Sequence, residues 1–172
     1  MRRIAVIGCT GSGKTTLARI LGVRLGIDVV HGDFLGRTGG TRAQGEEWAR
    51  LHAELIGRPV WILDAMRIST LERRLEVADT VVFLDLPRRA CLAGLLRRRL
   101  RHRRTINGVT GVAAMLTWDI VSYVWRFGVT ERPRITELLA RSRPGLQIVV
   151  LRSRREVRHF AATVSRNDAL LA

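Results

Sequence analysis

Short apolar runs separated by longer mixed stretches organise this chain. Residues 4–7, 27–31, 59–63, 80–86 and 146–151 are compact, largely apolar runs, as expected of strands buried on both faces of a sheet. Between them, the 15–25 stretch carries apolar residues at 17, 18, 20, 21 and 25, a helical spacing. Residues 41–56, 69–78, 88–104, 112–127 and 154–165 also read as helices, with a break at Asn107-Gly108. Strands alternating with helices predict an α/β fold: a parallel five-stranded sheet covered on both faces, three layers deep. Ligands are then expected beyond the carboxyl ends of the strands. A length of 172 residues predicts one domain spanning 1–172, without repeats or a low-complexity linker.

The first strand runs directly into Gly8-Cys9-Thr10-Gly11-Ser12-Gly13-Lys14-Thr15, which spells G-x-x-x-x-G-K-[ST]. Glycines at 8, 11 and 13 let the backbone turn tightly and aim its N–H groups inward at an anion. Lys14 reaches the outer phosphates and the Thr15 hydroxyl is offered to Mg²⁺. Strand, loop and helix occur in the order this phosphate loop requires, so a P-loop NTPase fold binding ATP through residues 8–16, including Thr16, is predicted.

Composition sharpens that reading. Lys14 is the only lysine among 30 Lys and Arg residues; the other 29 are arginines. The single compact ammonium thus stands where a point charge must meet a polyphosphate. The net charge of +15 has a bland source in scattered surface arginines, but Arg88, Arg89, Arg97, Arg98, Arg99, Arg101, Arg103 and Arg104 crowd one stretch suited to phosphate oxygens. Cys9 and Cys91, far apart in sequence, give neither a disulfide framework nor a metal-ligand spacing, and a reducing cytoplasm is the expected location. No secretory signal is read, because cleaving one would remove the phosphate loop. The 112–125 stretch is too short to span a bilayer and is interrupted by Asp119.

Acidic residues at strand ends are the next candidates. Asp33 follows the second strand and is placed to hold or deprotonate an acceptor; Asp64, preceded by Trp61-Ile62-Leu63, has the form of a magnesium-ordering carboxylate. Asp85 is a rival for the metal, although Pro87 close behind it favours a structural turn. Trp118 and Trp125, one heptad apart, are expected to pack their helix rather than stack a base.

The phosphate loop, Asp33, the Trp61–Asp64 run, Ala78-Asp79-Thr80-Val81-Val82-Phe83-Leu84-Asp85-Leu86-Pro87-Arg88, the arginine-rich stretch and Leu151-Arg152-Ser153-Arg154-Arg155-Glu156 together resemble the adenylate-kinase-related P-loop proteins called DNA topology modulation (FlaR-like) proteins. The resemblance covers nearly the whole chain. It implies a nucleoside-monophosphate-kinase-like fold with an arginine-bearing helical lid at about 88–134 that closes over the triphosphate. It also implies that Arg67 faces the acceptor phosphate and that Arg152 to Arg155 border the adenine. Where such proteins usually continue Asp-Gly-Asn, this chain reads Asp64-Ala65-Met66-Arg67, which bears on acceptor recognition.

Phosphoryl transfer needs positioned positive charge in a water-excluded site, and lid arginines supply it. Arg97, Arg98, Arg101 and Arg104 recur at helical spacing, with Arg126, Arg132 and Arg134 on the opposing side; Arg97 and Arg101 are the leading catalytic candidates with Lys14, Asp33 and Arg67. The leading expectation is a small phosphotransferase moving the γ-phosphoryl of ATP to a nucleotide or other small acceptor. The alternative is a nucleotide-gated nucleic-acid-binding protein whose basic surface grips a phosphate backbone. A guanine-specific Asn-Lys-x-Asp motif is impossible without a second lysine.

Overall fold

The computed structural model describes residues 1–32, 37–38, 41–42, 45–65, 67–102 and 117–165, with backbone alone at 37–38, 41–42, 45 and 101–102. Five strands, β1 (Arg3–Gly8), β2 (Val29–His31), β5 (Trp61–Asp64), β6 (Thr80–Leu84) and β7 (Gln147–Leu151), form one parallel sheet in the order β2-β5-β1-β6-β7. A separate two-stranded sheet pairs β3 (Arg37–Thr38) antiparallel with β4 (Thr41–Arg42). Among the described residues six α-helices occur: α1 (Lys14–Leu25), α2 (Gly45–Ile56), α3 (Leu71–Val77), α4 (Arg88–His102), α5 (Trp118–Ala140) and α6 (Arg154–Thr163).

The strands form where expected because their residues face apolar neighbours on both sides. Every residue of β5 and β6 is buried, and β1 is buried from Ile4 to Gly8. Central β1 is held at its start by Asp79, one of whose carboxylate oxygens accepts the backbone N–H groups of Arg2 and Arg3 at 2.7 and 2.8 Å. Helix α1 buries Leu17, Ala18, Leu21 and Leu25 at 3.6-residue spacing.

Two sequence expectations shift. The helix read over 41–56 begins only at Gly45, because Thr38 pairs with Thr41 across a Gly39-Gly40 connector, a hairpin signal in the sequence. The helix read as ending at 127 runs on to Ala140, through Pro133. Its apolar stripe of Val124, Phe127, Ile135 and Leu139 stays buried past the proline, while Val129, whose carbonyl loses its helical donor there, is 78% exposed and open to water. Among the described residues no helix is long and apolar enough to cross a membrane.

The chain leaves β1 for β2 and β5 on one side, then crosses to β6 and β7 on the other. The crevice between β1 and β6 is therefore the topological switch point, and the phosphate loop lies over it.

Candidate active site

Gly8 to Gly13 carry the chain from the end of β1 to the first turn of α1. Gly11 (φ +80°) and Gly13 (φ +100°, the N-cap of α1) hold left-handed conformations that a side chain would strain, so the loop curls at the start of the helix. The N-terminus of α1, with its unpaired N–H groups, forms the floor of that curl. Lys14 is buried, and its Nζ donates to the Cys9 carbonyl at 3.0 Å, bridging the mouth of the loop. The Ser12 hydroxyl is fully buried and has no hydrogen-bond partner among the described residues.

Next to this loop, β5 presents Asp64. The Thr15 hydroxyl donates to Asp64 Oδ2 at 2.6 Å, and His31 Nδ1, at the end of β2, lies 3.3 Å from the same oxygen. Asp64 is 5% exposed, and its Oδ1 has no hydrogen-bond partner among the described residues. A buried carboxylate oxygen left unpaired costs about 1–3 kcal/mol or more, which a bound cation would offset. No cluster of three or more His, Cys, Asp or Glu ligands occurs among the described residues. Mg²⁺, which keeps several waters and takes only one or two protein oxygens alongside substrate phosphates, fits the Thr15–Asp64 pair; a cation caged by protein alone does not.

The far wall of the loop is sealed by protein. Arg154 Nη1 donates to the Ser12 carbonyl at 2.7 Å, and its Nη2 donates to the carbonyls of Gly11 at 2.9 Å and Ala90 at 3.2 Å. Partial burial, together with the nearby charge of Arg97, lowers the pKa of Arg154 below the usual arginine value. A capping box sets its position. Ser153 Oγ accepts the Glu156 N–H at 3.2 Å, and Glu156 Oε2 accepts the Arg152 N–H at 2.8 Å, fixing the turn from β7 into α6. Helix α4 completes the wall at Gly94, where a Cβ would collide with the Gly11 carbonyl oxygen.

The cysteines, distant in sequence, meet here. Cys9 and Cys91 are both buried and interact side chain to side chain; that interaction, then burial, holds the Cys9 thiol well above its ordinary value, and the same interaction, against burial, draws Cys91 below it. Cys9 therefore packs against Cys91 at the start of α4.

Other predicted residues are distributed around this centre. Arg67 follows β5, and its guanidinium lies 4.3 Å above the Trp48 ring, which itself stacks on His52 at 4.8 Å. Arg97 is exposed on α4 near Arg154, Arg152 lies beyond β7, and Thr16 is exposed in the first turn of α1. Asp33 lies outside the described residues, as do the side chain of Arg101 and all of Arg103 and Arg104. Asp85, just beyond the end of β6, accepts from Arg132 on α5 with both carboxylate oxygens, at 2.7 and 2.8 Å. The two tryptophans do not pack as expected: Trp118 is 81% exposed, and Trp125, 56% exposed, carries Arg88 4.0 Å above its ring.

Sequence reasoning missed His31, Gly94 and the individual role of Arg154. The S-x-x-E pattern of Ser153 and Glu156 was a readable signal that Arg154 begins a helix facing the loop.

Solved structures resemble this architecture. Shikimate kinase from Acinetobacter baumannii, in complex with shikimate, matches with a TM-score of 0.64 and 19% identity over 94% of this chain and 89% of that one. Shikimate kinase from Bacteroides thetaiotaomicron matches with a TM-score of 0.54 and 16% identity, covering 99% and 98% of the two chains. A gluconokinase from Sinorhizobium meliloti 1021 matches with a TM-score of 0.50 and 17% identity over 99% and 97%. The fold is that of the P-loop kinases related to nucleoside-monophosphate kinases, a three-layer α/β/α sandwich. At these identities the likeness establishes fold alone. No protein-family model matches the chain, and no curated protein matches it.

Proposed function

We propose that this protein is an ATP-dependent phosphotransferase that moves the γ-phosphoryl group to a small acceptor. One observation carries the reading: the Thr15 hydroxyl and the buried, half-unpaired Asp64 carboxylate lie 2.6 Å apart beside a G-x-x-x-x-G-K-T loop at the sheet's switch point. In this reading residues 8–16 cradle the polyphosphate, and Lys14 turns from the Cys9 carbonyl to the outer phosphates. Thr15 and Asp64 hold Mg²⁺, which when bound neutralises phosphate charge.

An acceptor oxygen forms a bond to the γ-phosphorus as the bond to the bridging β–γ oxygen breaks, releasing ADP. The acceptor's proton passes to a base, a role for which Asp33, one residue beyond Gly32 at the end of β2, is the sequence candidate. Arg67, held on Trp48, faces the acceptor, and Arg97 and Arg101 on α4 contribute charge from the lid at about 88–134. Membership of the DNA topology modulation (FlaR-like) group, suggested by the segments above, is part of this proposal.

The test is transfer from γ-labelled ATP across a panel of nucleoside monophosphates, sugars and hydroxy acids. One acceptor class should give a labelled product that Lys14→Ala and Asp64→Asn abolish. Label released to water at the same rate whatever acceptor is present would refute the transferase reading and leave a hydrolase.

A further inference from the structure

A second concavity lies on the β6 side of the phosphate loop, between the first turn of α4 and the middle of α5. Its volume is about 490 Å³, within the range of small-molecule sites, roughly 300–1,000 Å³. Cys9 and Cys91 form its inner wall, Asp85, Leu86 and Pro87 its floor, and Trp125, Val129 and Arg132 on α5 its outer wall. Arg88 and Arg152 stand at its rim. Arg154 and Gly94 seal the loop at Gly11 and Ser12, so this cleft opens at the other end of the loop, against residue 9.

The chemistry of the lining is two-fold. Three guanidinium groups face one carboxylate, and both oxygens of that carboxylate are taken by Arg132. Arg88 has no carboxylate in ion-pair range among the described residues; its Cζ lies over the Trp125 ring, 4.0 Å from the centroid, with its fork left to a ligand. Beside these charges, Trp125 and Val129 remain 56% and 78% exposed, an apolar wall that a wholly polar ligand would leave unused. A planar guanidinium stacked on an indole is pre-organised for an oxyanion and loses little freedom on binding.

We propose that this cleft is a binding site for a small amphipathic anion: a carboxylate or phosphate monoester received by Arg88 and Arg132, on an apolar ring or chain lying against Trp125 and Val129. The site adjoins the phosphate loop at Cys9 and binds its ligand whether or not the protein transfers phosphate.

Calorimetric titration of the full chain tests this with four probes: phenyl phosphate, benzoate, inorganic phosphate and benzyl alcohol. Phenyl phosphate and benzoate should each bind one to one with dissociation constants of about 1 mM or tighter, and at least about tenfold more tightly than inorganic phosphate or benzyl alcohol. Arg88→Gln and Trp125→Leu, both at exposed positions, should each weaken the two aromatic anions about tenfold, whereas Lys14→Ala leaves them unchanged. If benzoate binds and phenyl phosphate does not, the oxyanion is a carboxylate; the reverse assigns a phosphate monoester.

Three results would overturn the proposal: inorganic phosphate binding as well as phenyl phosphate, loss of aromatic-anion binding in Lys14→Ala, or stoichiometric displacement of both aromatic anions by ADP. The last two would make the cleft part of the nucleotide site. Failure of ATP transfer with intact cleft binding would sink the kinase reading alone.

Discussion

Replacing Arg154 by methionine keeps the aliphatic body of the side chain and removes the guanidinium that clasps the outside of the phosphate loop. Three donations are lost, at 2.7 Å to Ser12, 2.9 Å to Gly11 and 3.2 Å to Ala90. A hydrogen bond from a charged donor contributes about 1.5–3 kcal/mol net, and water reaches part of this half-buried site, so the two short bonds dominate. The expected loss is about 2–4 kcal/mol of unfolding free energy. With a urea slope of about 2 kcal/mol/M, the midpoint falls by roughly 1–2 M.

The loop should loosen as well, because the freed Gly11 and Ser12 carbonyls let their peptide units rotate and misdirect the N–H groups opposite. ATP affinity is expected to fall about tenfold by calorimetry. Arg154→Lys, with a point charge in place of a fork, should recover about half of each effect. The exposed neighbour variant Arg155→Met should do neither. A midpoint within 0.2 M of the parent protein, on the order of 0.5 kcal/mol, together with unchanged ATP affinity, would show that the clasp has no energetic role.

Gly94→Ala sets two effects against each other. Alanine in a helix is worth about 1 kcal/mol over glycine, but its Cβ here meets the Gly11 carbonyl and lies 2.7 Å from Arg154 Nη2. A net destabilisation of about 1–3 kcal/mol with weaker ATP binding is expected in denaturant titration, and a gain would show that α4 does not press on the loop.

His52 is held neutral, its pKa lowered to about 4 by burial first and then by the charges of Arg74, Arg73 and Arg67. The unfolded chain therefore binds the proton first. Stability is full above pH 6.5 and falls as pH drops toward about 4, at up to about 1.4 kcal/mol per unit. His52→Phe, which keeps the stack on Trp48, should flatten that acid limb in pH-dependent melting; an unchanged slope would refute it.

Asp64→Asn should leave the melting temperature equal or higher, because a buried, partly unpaired charge is removed. ATP affinity should become insensitive to Mg²⁺ in paired titrations, and a retained magnesium dependence would move the metal elsewhere.

The features legible along the chain are those whose physics is local. The phosphate loop is contiguous, and its glycines, lysine and threonine act within one turn of backbone. The five strands of the main sheet declared themselves by apolar runs, and Asp64 by standing at the end of one. His31 was not legible as a partner of Asp64, since only the parallel pairing of β2 with β5 puts His31 level with it. Arg154 and Ser12 are 142 residues apart, and no periodicity links them. Asp85 looked like a turn residue, yet it anchors Arg132 because α5 passes over the end of β6. The helix read as ending at 127 runs on through Pro133, because tertiary burial on one face and water on the other outweigh one lost hydrogen bond. The sequence alone determined the layered α/β class and the glycine-rich strand–loop–helix turn after β1, because these depend on neighbours within a few residues. The tertiary structure decided which arginines clasp the loop, which acidic residue is left half-unpaired and where the second cleft opens, because each depends on strand order and on side chains brought together from distant segments.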